Sequence, residues 1–253
     1  MARIACITGA TAGIGKATAL ALAKEGYNVI ITGRRGERLQ QVSAEIALKT
    51  GKEVLPLTLD MRDQPALEKA FTNLSDQWRN IEILVNNAGL AAGLDFINEG
   101  SLDDWEAMID TNIKGLLYAT RAVSPGMVSR KKGHIVNISS IAGKEVYEKG
   151  NVYCGSKHAV DAITKGTRID LLKHGIKVTS VSPGAVDTEF SNVRFKGNNE
   201  KADAVYQGYT PLYADDVADA VLFAVTRPPH VNINDLLIMP AAQASAAYLH
   251  REE

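Results

Sequence analysis

Tyr153-Cys154-Gly155-Ser156-Lys157 sets a phenol and an ammonium four residues apart. On a helix, positions i and i+4 share a face, so the two groups stand side by side. A neighbouring cation stabilises phenolate and lowers a tyrosine from its ordinary value near ~10. Tyr153 is therefore a candidate general acid/base and Lys157 its partner. The same spacing also describes an exposed helix pair, so it decides nothing alone. Cys154 sits beside the phenol, but i+1 neighbours do not share a helical face. A small residue on the far side of the helix is the favoured reading over a redox thiol.

A second group of residues suits phosphate chemistry. Thr8-Gly9-Ala10-Thr11-Ala12-Gly13-Ile14-Gly15 follows the apolar run at residues 4–7 and precedes an Ala/Leu/Lys-rich stretch. Glycines between a strand and a helix permit a tight turn and let backbone approach a pyrophosphate, whose charge meets the helix N-terminus. Gly9, Thr11, Gly13, Ile14 and Gly15 form this candidate cradle. The next strand ends on Thr32-Gly33-Arg34-Arg35. An acid there would bond the ribose hydroxyls of NAD. Arg34, with Arg35, can instead pair with a 2′-phosphate in charge-assisted bonds. The expected cofactor is NADP(H); two solvated surface arginines are the alternative.

The elements that must position these groups alternate. Strands are expected at 4–7, 29–31, 54–59, 81–85, 134–138, 176–181 and 236–238. Helices are expected at 14–25, 37–49, 66–78, from 103 through 118 to before Pro125, at 152–173 and at 215–225. This rhythm argues for an α/β fold: one doubly wound Rossmann-type domain spanning 1–253, with a mostly parallel sheet of about seven strands. The stretch 186–213, with Gly197-Asn198-Asn199, reads as irregular and mobile.

Composition narrows the function. A hydrophobic content of 45% supplies material for a core, and a formal net charge of −1 argues against nucleic acid or anionic membranes as partners. Two cysteines and five histidines without ligand spacing make a metal site an unfavoured reading. The apolar run at 4–7 is too short for a signal-peptide core, and no stretch approaches a membrane span. The expected location is cytoplasmic.

The glycine spacing G-x-x-x-G-x-G, together with Asn86-Asn87-Ala88-Gly89 and the YxxxK element, resembles the short-chain dehydrogenase/reductase family. The resemblance runs from Thr8 to Pro240. It implies hydride transfer between NADP(H) and a hydroxyl-bearing carbon, with four catalytic residues: Asn112, Ser140, Tyr153 and Lys157. Ser140 precedes Tyr153 by the family's usual thirteen residues and would bond the substrate oxygen; Ser139 is its rival, turned the other way by strand alternation. Asn112, in Asp110-Thr111-Asn112-Ile113-Lys114-Gly115, would hold a water that links Lys157 to solvent. Lys157 would also bind the nicotinamide ribose. Asp60 and Met61 would meet the adenine; Asn87, Ala88 and Gly89 would pack beside the cofactor. Pro183, Gly184, Val186 and Thr188 match the element whose backbone meets the carboxamide.

The run Thr188-Glu189-Phe190-Ser191-Asn192-Val193-Arg194-Phe195-Lys196-Gly197 and the tail Asn234 to Pro240 look like the NADP-dependent 3-hydroxy acid dehydrogenases, also described as serine or allo-threonine dehydrogenases. A 3-hydroxy acid carries a carboxylate, so a cation is expected in the pocket. Arg194, a suitable bidentate partner, and Lys196 are the candidates, on a segment expected to cover the substrate. Both could equally be solvent-facing loop charges. The resemblance further implies a homotetramer, with the helices at 103–123 and 152–173 supplying the main interface. A carbonyl or 3-oxoacyl-thioester reductase is the alternative within this chemistry. A non-catalytic NADP(H)-binding sensor is the alternative outside it.

Overall fold

A computed structural model describes residues 2–252 of the chain. Short β-branched and apolar runs form the sheet. Its strands are β1 (Ile4–Ile7), β2 (Asn28–Gly33), β3 (Val54–Thr58), β4 (Ile81–Asn86), β5 (Gly133–Ile138), β6 (Ile176–Pro183) and β9 (Asp235–Ile238). Among the described residues they lie in the order β3-β2-β1-β4-β5-β6-β9, and every pairing is parallel. The expected sheet of about seven strands is therefore present, parallel throughout.

Side chains alternate across the sheet with the two-residue period of a strand. Ala5, Ile7, Val29 and Ile31 face one core, which α1 (Gly13–Lys24), α2 (Gly36–Thr50) and α9 (Ala214–Val225) cover. Ile4, Cys6 and Ile30 face the other, covered by α3 (Gln64–Thr72) and α5 (Leu116–Arg130). The long α6 (Asn151–Leu171) packs against β6 and follows a short 3-10 turn at Ile141–Gly143. Helices on both faces make the doubly wound arrangement. Strand order reverses between β1 and β4, and ligands of such sheets bind at the carboxyl ends beside that reversal.

Three expectations need correction. The helix at 66–78 begins earlier and stops at Thr72, because Asp63 caps it through the Ala66 N–H and Asn73 closes it. The helix expected to end before Pro125 continues through that proline to Arg130. Pro125 removes one donor, but Arg121 and Pro125 lie on the exposed face while Val123 and Met127 are buried. The carbonyl left without its donor is on the solvent side, and the buried face holds the helix together. The stretch 186–213 is not wholly irregular. It holds α7 (Phe190–Arg194), α8 (Asn199–Ala204) and a parallel pair of two-residue strands, β7 (Val186–Asp187) and β8 (Leu212–Tyr213).

The remaining helix, α4 (Leu102–Ile109), runs into a π-helical turn at Asp110–Gly115 and then into α5. Such insertions re-aim side chains and are frequent at functional sites. Asn112 lies in this one.

His134 lies buried between β5 and β6. Its Nε2 is 2.7 Å from Thr179 Oγ1, and that hydroxyl donates to Ile233 O at 2.7 Å. Nε2 therefore carries the ring proton, and Nδ1 has no partner among the described residues. Burial pushes the imidazole down to about 3, with Lys177 adding to the effect. The unfolded chain takes up this proton below about 6.5, while the fold resists it. Stability should fall as pH drops from about 6.5 towards about 3. In urea melts a His134→Leu variant should show a shallower acid-side decline than the parent.

Candidate active site

The site is built where β1 and β4 end. The Thr8 N–H donates to Val85 O at 3.0 Å, extending the pairing one residue past β1. The Thr8 hydroxyl then accepts from the N–H groups of Asn87 and Ala88, each at 3.0 Å. The Asn87 amide donates to the carbonyls of Thr8 and Gly9 at 2.9 and 3.0 Å. These bonds fix the turn after β1 to the loop after β4.

The close approach dictates glycine. Gly9 and Gly13 have φ of +67° and +51°, where side chains are strained. A Cβ on Gly9 would lie 2.8 Å from Ala88 Cα, and one on Gly15 would lie 2.5 Å from the Gly9 carbonyl oxygen. Glycine therefore lets the turn pack directly on the loop after β4.

A cavity of about 660 Å³ runs along these strand ends. Gly9, Thr11, Gly13 and Ile14 line it at the turn; Arg34, Arg35, Asp60 and Met61 line it after β2 and β3. Asn87, Ala88 and Gly89 form its middle, and Pro183, Gly184, Val186 and Thr188 its far side. Tyr153, Lys157 and Ser140 close the same cavity. Of the residues read as cofactor contacts, Gly15 alone stands behind the wall.

The two arginines differ. Arg34 is exposed and makes no ion pair among the described residues. Arg35 is held by Thr11 Oγ1 at 2.9 Å and by Glu189 at 3.0 Å. The Arg62 guanidinium, 2.6 Å from Asp60 Oδ2, holds the Asp60 carboxyl below its ordinary value.

Tyr153 and Lys157 are both buried, 8% and 6% exposed, so the helix pair is not the solvated one that its spacing also allowed. Lys157 Nζ donates to Ile138 O at 3.0 Å and stands 6.0 Å from the Tyr153 ring centre. Burial pushes its ammonium down to about 8. Burial also raises the Tyr153 phenol above its ordinary value, opposite to the direction that pairing with Lys157 predicts. Tyr147 adds to the rise, while the Ser140 hydroxyl and the Arg194 charge act against it. Desolvation wins because phenol and ammonium are both shut from water.

Ser140 and Ser139 both line the cavity but make different bonds. Ser140 Oγ accepts from the Ala142 N–H at 3.1 Å and acts on the phenol. Ser139 Oγ instead donates to Lys157 O at 3.4 Å and packs against the backbone of α6.

Asn112 joins the elements around the centre. Its Oδ1 accepts from the Leu90 N–H at 2.8 Å; its Nδ2 donates to Leu90 O at 2.9 Å and to Ser156 Oγ at 3.0 Å. Ser156 Oγ donates in turn to Tyr153 O at 2.8 Å. The amide thus ties the loop after β4 to the first turn of α6. Cys154 is fully buried and its thiol is raised by that burial, which agrees with a packing role.

The two candidate cations lie in different surroundings, and neither is part of the lining of the 660 Å³ cavity. Lys196 is exposed and pairs with Asp104 at 2.9 Å. The Arg194 guanidinium stands 5.4 Å from the Tyr153 ring centre, where its Nη2 donates to the Tyr147 hydroxyl at 2.8 Å and its Nε to Gly93 O at 3.4 Å. Phe190, on the same short helix, meets the Tyr153 ring at 5.7 Å. Sequence reasoning missed Thr8, Tyr147, Glu189 and Phe190. Only Thr8 carried a signal, as a hydroxyl directly before the first glycine.

Comparison with known proteins bears on the family. The profile of the short chain dehydrogenase family matches residues 3–199. The NADP-dependent 3-hydroxy acid dehydrogenase YdfG of Salmonella typhi is 48% identical over 250 residues, 98% of this chain and 99% of the relative. The serine 3-dehydrogenase of Agrobacterium fabrum is 44% identical over 247 residues, 97% of each. A closed form of serine dehydrogenase complexed with NADP+ superposes with a TM-score of 0.93 at 47% identity, covering 98% of this chain and 100% of that one.

Lys157 offers a test of the site's electrostatics. Its ammonium is depressed from 10.5 to about 8, so the cost of burying the charge is present in full below about 8. That cost is relieved as pH rises towards the unfolded value, because the unfolded chain then holds more protons. Lys157→Met should melt at a higher temperature than the parent at neutral pH, and the gap should close between about 8 and about 10.5. Thermal melts across that range check it.

Proposed function

The chain belongs to the short-chain dehydrogenase family, and we propose that within it this protein is a cytoplasmic NADP(H)-dependent dehydrogenase of small 3-hydroxy acids. The substrate class is the serine, allo-threonine, 3-hydroxyisobutyrate or 3-hydroxypropionate type. Arg194 carries the substrate reading. It brings a guanidinium beside the Tyr153 ring, and its Nη1 makes no hydrogen bond among the described residues. A carboxylate held there keeps the adjoining carbinol within reach of the phenol. The names of the Salmonella and Agrobacterium relatives support the same class.

The residues at the strand ends fit NADP(H). Glycine backbone at the turn leaves room for a pyrophosphate, and Arg34 stands ready for a 2′-phosphate. Asp60 and Met61 bound the adenine end, and Pro183, Gly184, Val186 and Thr188 the nicotinamide end. The cofactor supplies the hydride acceptor or donor when bound. The chain's residues do the rest. Tyr153 takes the carbinol proton in oxidation and returns it in reduction, and Ser140 Oγ bonds the substrate oxygen. Lys157, cationic below about 8, favours the phenolate when water is excluded. The Asn112 amide is committed to Leu90 and Ser156, so a water relay from Lys157 runs by the Asn112 backbone. The segment 186–213, carrying Arg194, covers the substrate.

We carry a homotetramer as part of this reading. Leu102 and Leu117 on α4 and α5, and Ile169 on α6, are large apolar side chains left exposed on the helices expected to meet.

NADP+ reduction across the four acids, with 2-propanol as control, tests the substrate. Activity confined to the neutral alcohol would overturn it. Tyr153→Phe should lower turnover by about 10²- to 10⁴-fold. Arg194→Ala should raise KM for the acid about tenfold or more and leave the alcohol unchanged; equal loss on both sinks the carboxylate assignment. Because burial holds the phenol protonated, oxidation should speed up as pH rises, while reduction should not. Parallel pH profiles in the two directions would contradict Tyr153 as the proton carrier.

A further inference from the structure

Two arginines from the start of α2 converge on one carboxylate. Glu189 Oε2 is 3.0 Å from Arg35 Nη1, and Glu189 Oε1 is held by Arg38 Nη2. The other terminal nitrogen of Arg35, Nη2, donates to Thr11 Oγ1 at 2.9 Å. One line of polar contacts therefore runs from Thr11 through Arg35 and Glu189 to Arg38. It joins three separate pieces of chain: the glycine turn, the entry to α2, and the residue that heads α7. Next to it, Thr188 comes so close to Gly13 that a Cβ there would lie 3.3 Å from its side chain. Thr11, Arg35 and Glu189 line the cavity; Arg38 does not.

A carboxylate at the phosphate end of a cofactor cavity has two opposed effects. Its charge repels phosphate, and its ion pairs hold the wall together. Here each carboxylate oxygen is taken by a guanidinium. Partial burial acts to raise the carboxyl, but the bonds from Arg35 and Arg38 hold it below the usual carboxylate range, so it stays ionised. Two cations and one anion leave the group with a charge of +1, which attracts phosphate. The wall-holding effect is the one left to act.

We propose that Glu189 is a positioning residue for the cofactor: paired with Arg35 and Arg38, it straps the segment heading α7 to the glycine turn and so retains bound NADP(H). The inference rests on the reading that the cavity holds NADP(H). The strap is made of partly exposed pairs, so it opens readily and yields to salt. It ties the residue that opens α7 to the cofactor's wall, while Arg194, at the other end of that five-residue helix, stands over Tyr153.

The test is stopped-flow release of NADPH, followed by nicotinamide fluorescence, from the full-length parent, E189Q, R38Q and the double variant. R38Q breaks the strap from behind, without altering the cavity wall. E189Q should release NADPH about threefold to tenfold faster and R38Q should do so to a smaller extent, with the double variant no faster than E189Q. The differences should vanish near 1 M salt, where the screening length is about 3 Å. Unchanged release, or additive effects in the double variant, would overturn the strap. Slower release from E189Q would show that the carboxylate repels the phosphates, and would also overturn it. A parent protein that fails to bind NADPH would remove the cofactor reading itself, and the strap with it.

Discussion

An ammonium is buried at the centre of this protein without a counterion. Among the described residues no carboxylate pairs with Lys157; its polar contact is the Ile138 carbonyl. Burying a lone cation is unfavourable, and it persists only where the surroundings cannot rearrange to release it. Those surroundings are tight. Ser139 donates to the Lys157 carbonyl, and a Cβ on Gly143 would lie 2.7 Å from that oxygen. The turn after β5 therefore grips α6 at the residue that bears the charge. The Asn112 amide grips the same helix through Ser156, the residue directly before the lysine. The sheet, the π turn and α6 are held in one register around a group that would otherwise seek water.

That rigidity contrasts with the other wall of the cavity. Between β6 and α9 the chain makes two-residue strands and helices of five and six residues. Apart from the packing of Phe190 on Tyr153 and of Val186 on the core, its hold on the rest of the molecule is polar: Glu189 on the arginines of α2, Arg194 on Tyr147 and Gly93, and Lys196 on Asp104. Such contacts break at little cost. A rigid centre faced by a loosely tethered cover fits an enzyme that must exclude water during reaction and then release its product.

How much of this was legible in the sequence depended on the range of the interaction. β-Branched runs and glycine stops announced the strands and helices, because their causes are local. Arg34 and the pair Tyr153 and Lys157 were found for the same reason. Glu189 and Tyr147 were not, since their partners lie far away in sequence: Glu189 meets Arg35 across 154 positions, and Tyr147 meets Arg194 across 47. The helix through Pro125 was misread because exposure, which makes the proline tolerable, belongs to the folded surface. The direction in which the Tyr153 phenol shifts was misread for a related reason. Spacing places Lys157 beside it, but desolvation is set by every element packed around the pair; it is the largest influence on the phenol, and the cation that acts against it is Arg194.

Adjacent arginines with the same chemistry are also separated by the fold. Arg35 is engaged on two sides, by Thr11 and Glu189, before any ligand arrives. A phosphate that took it would have to share its donors or break those bonds. Arg34 has no such ties and can turn its whole guanidinium towards an anion. The two residues therefore divide one task. Arg34 keeps its guanidinium free for the proposed 2′-phosphate, and Arg35 fixes the wall beside it. On the proposed reading, selection for NADP(H) over NAD rests first on Arg34, while Arg35 is held in place by a carboxylate 154 positions further along the chain.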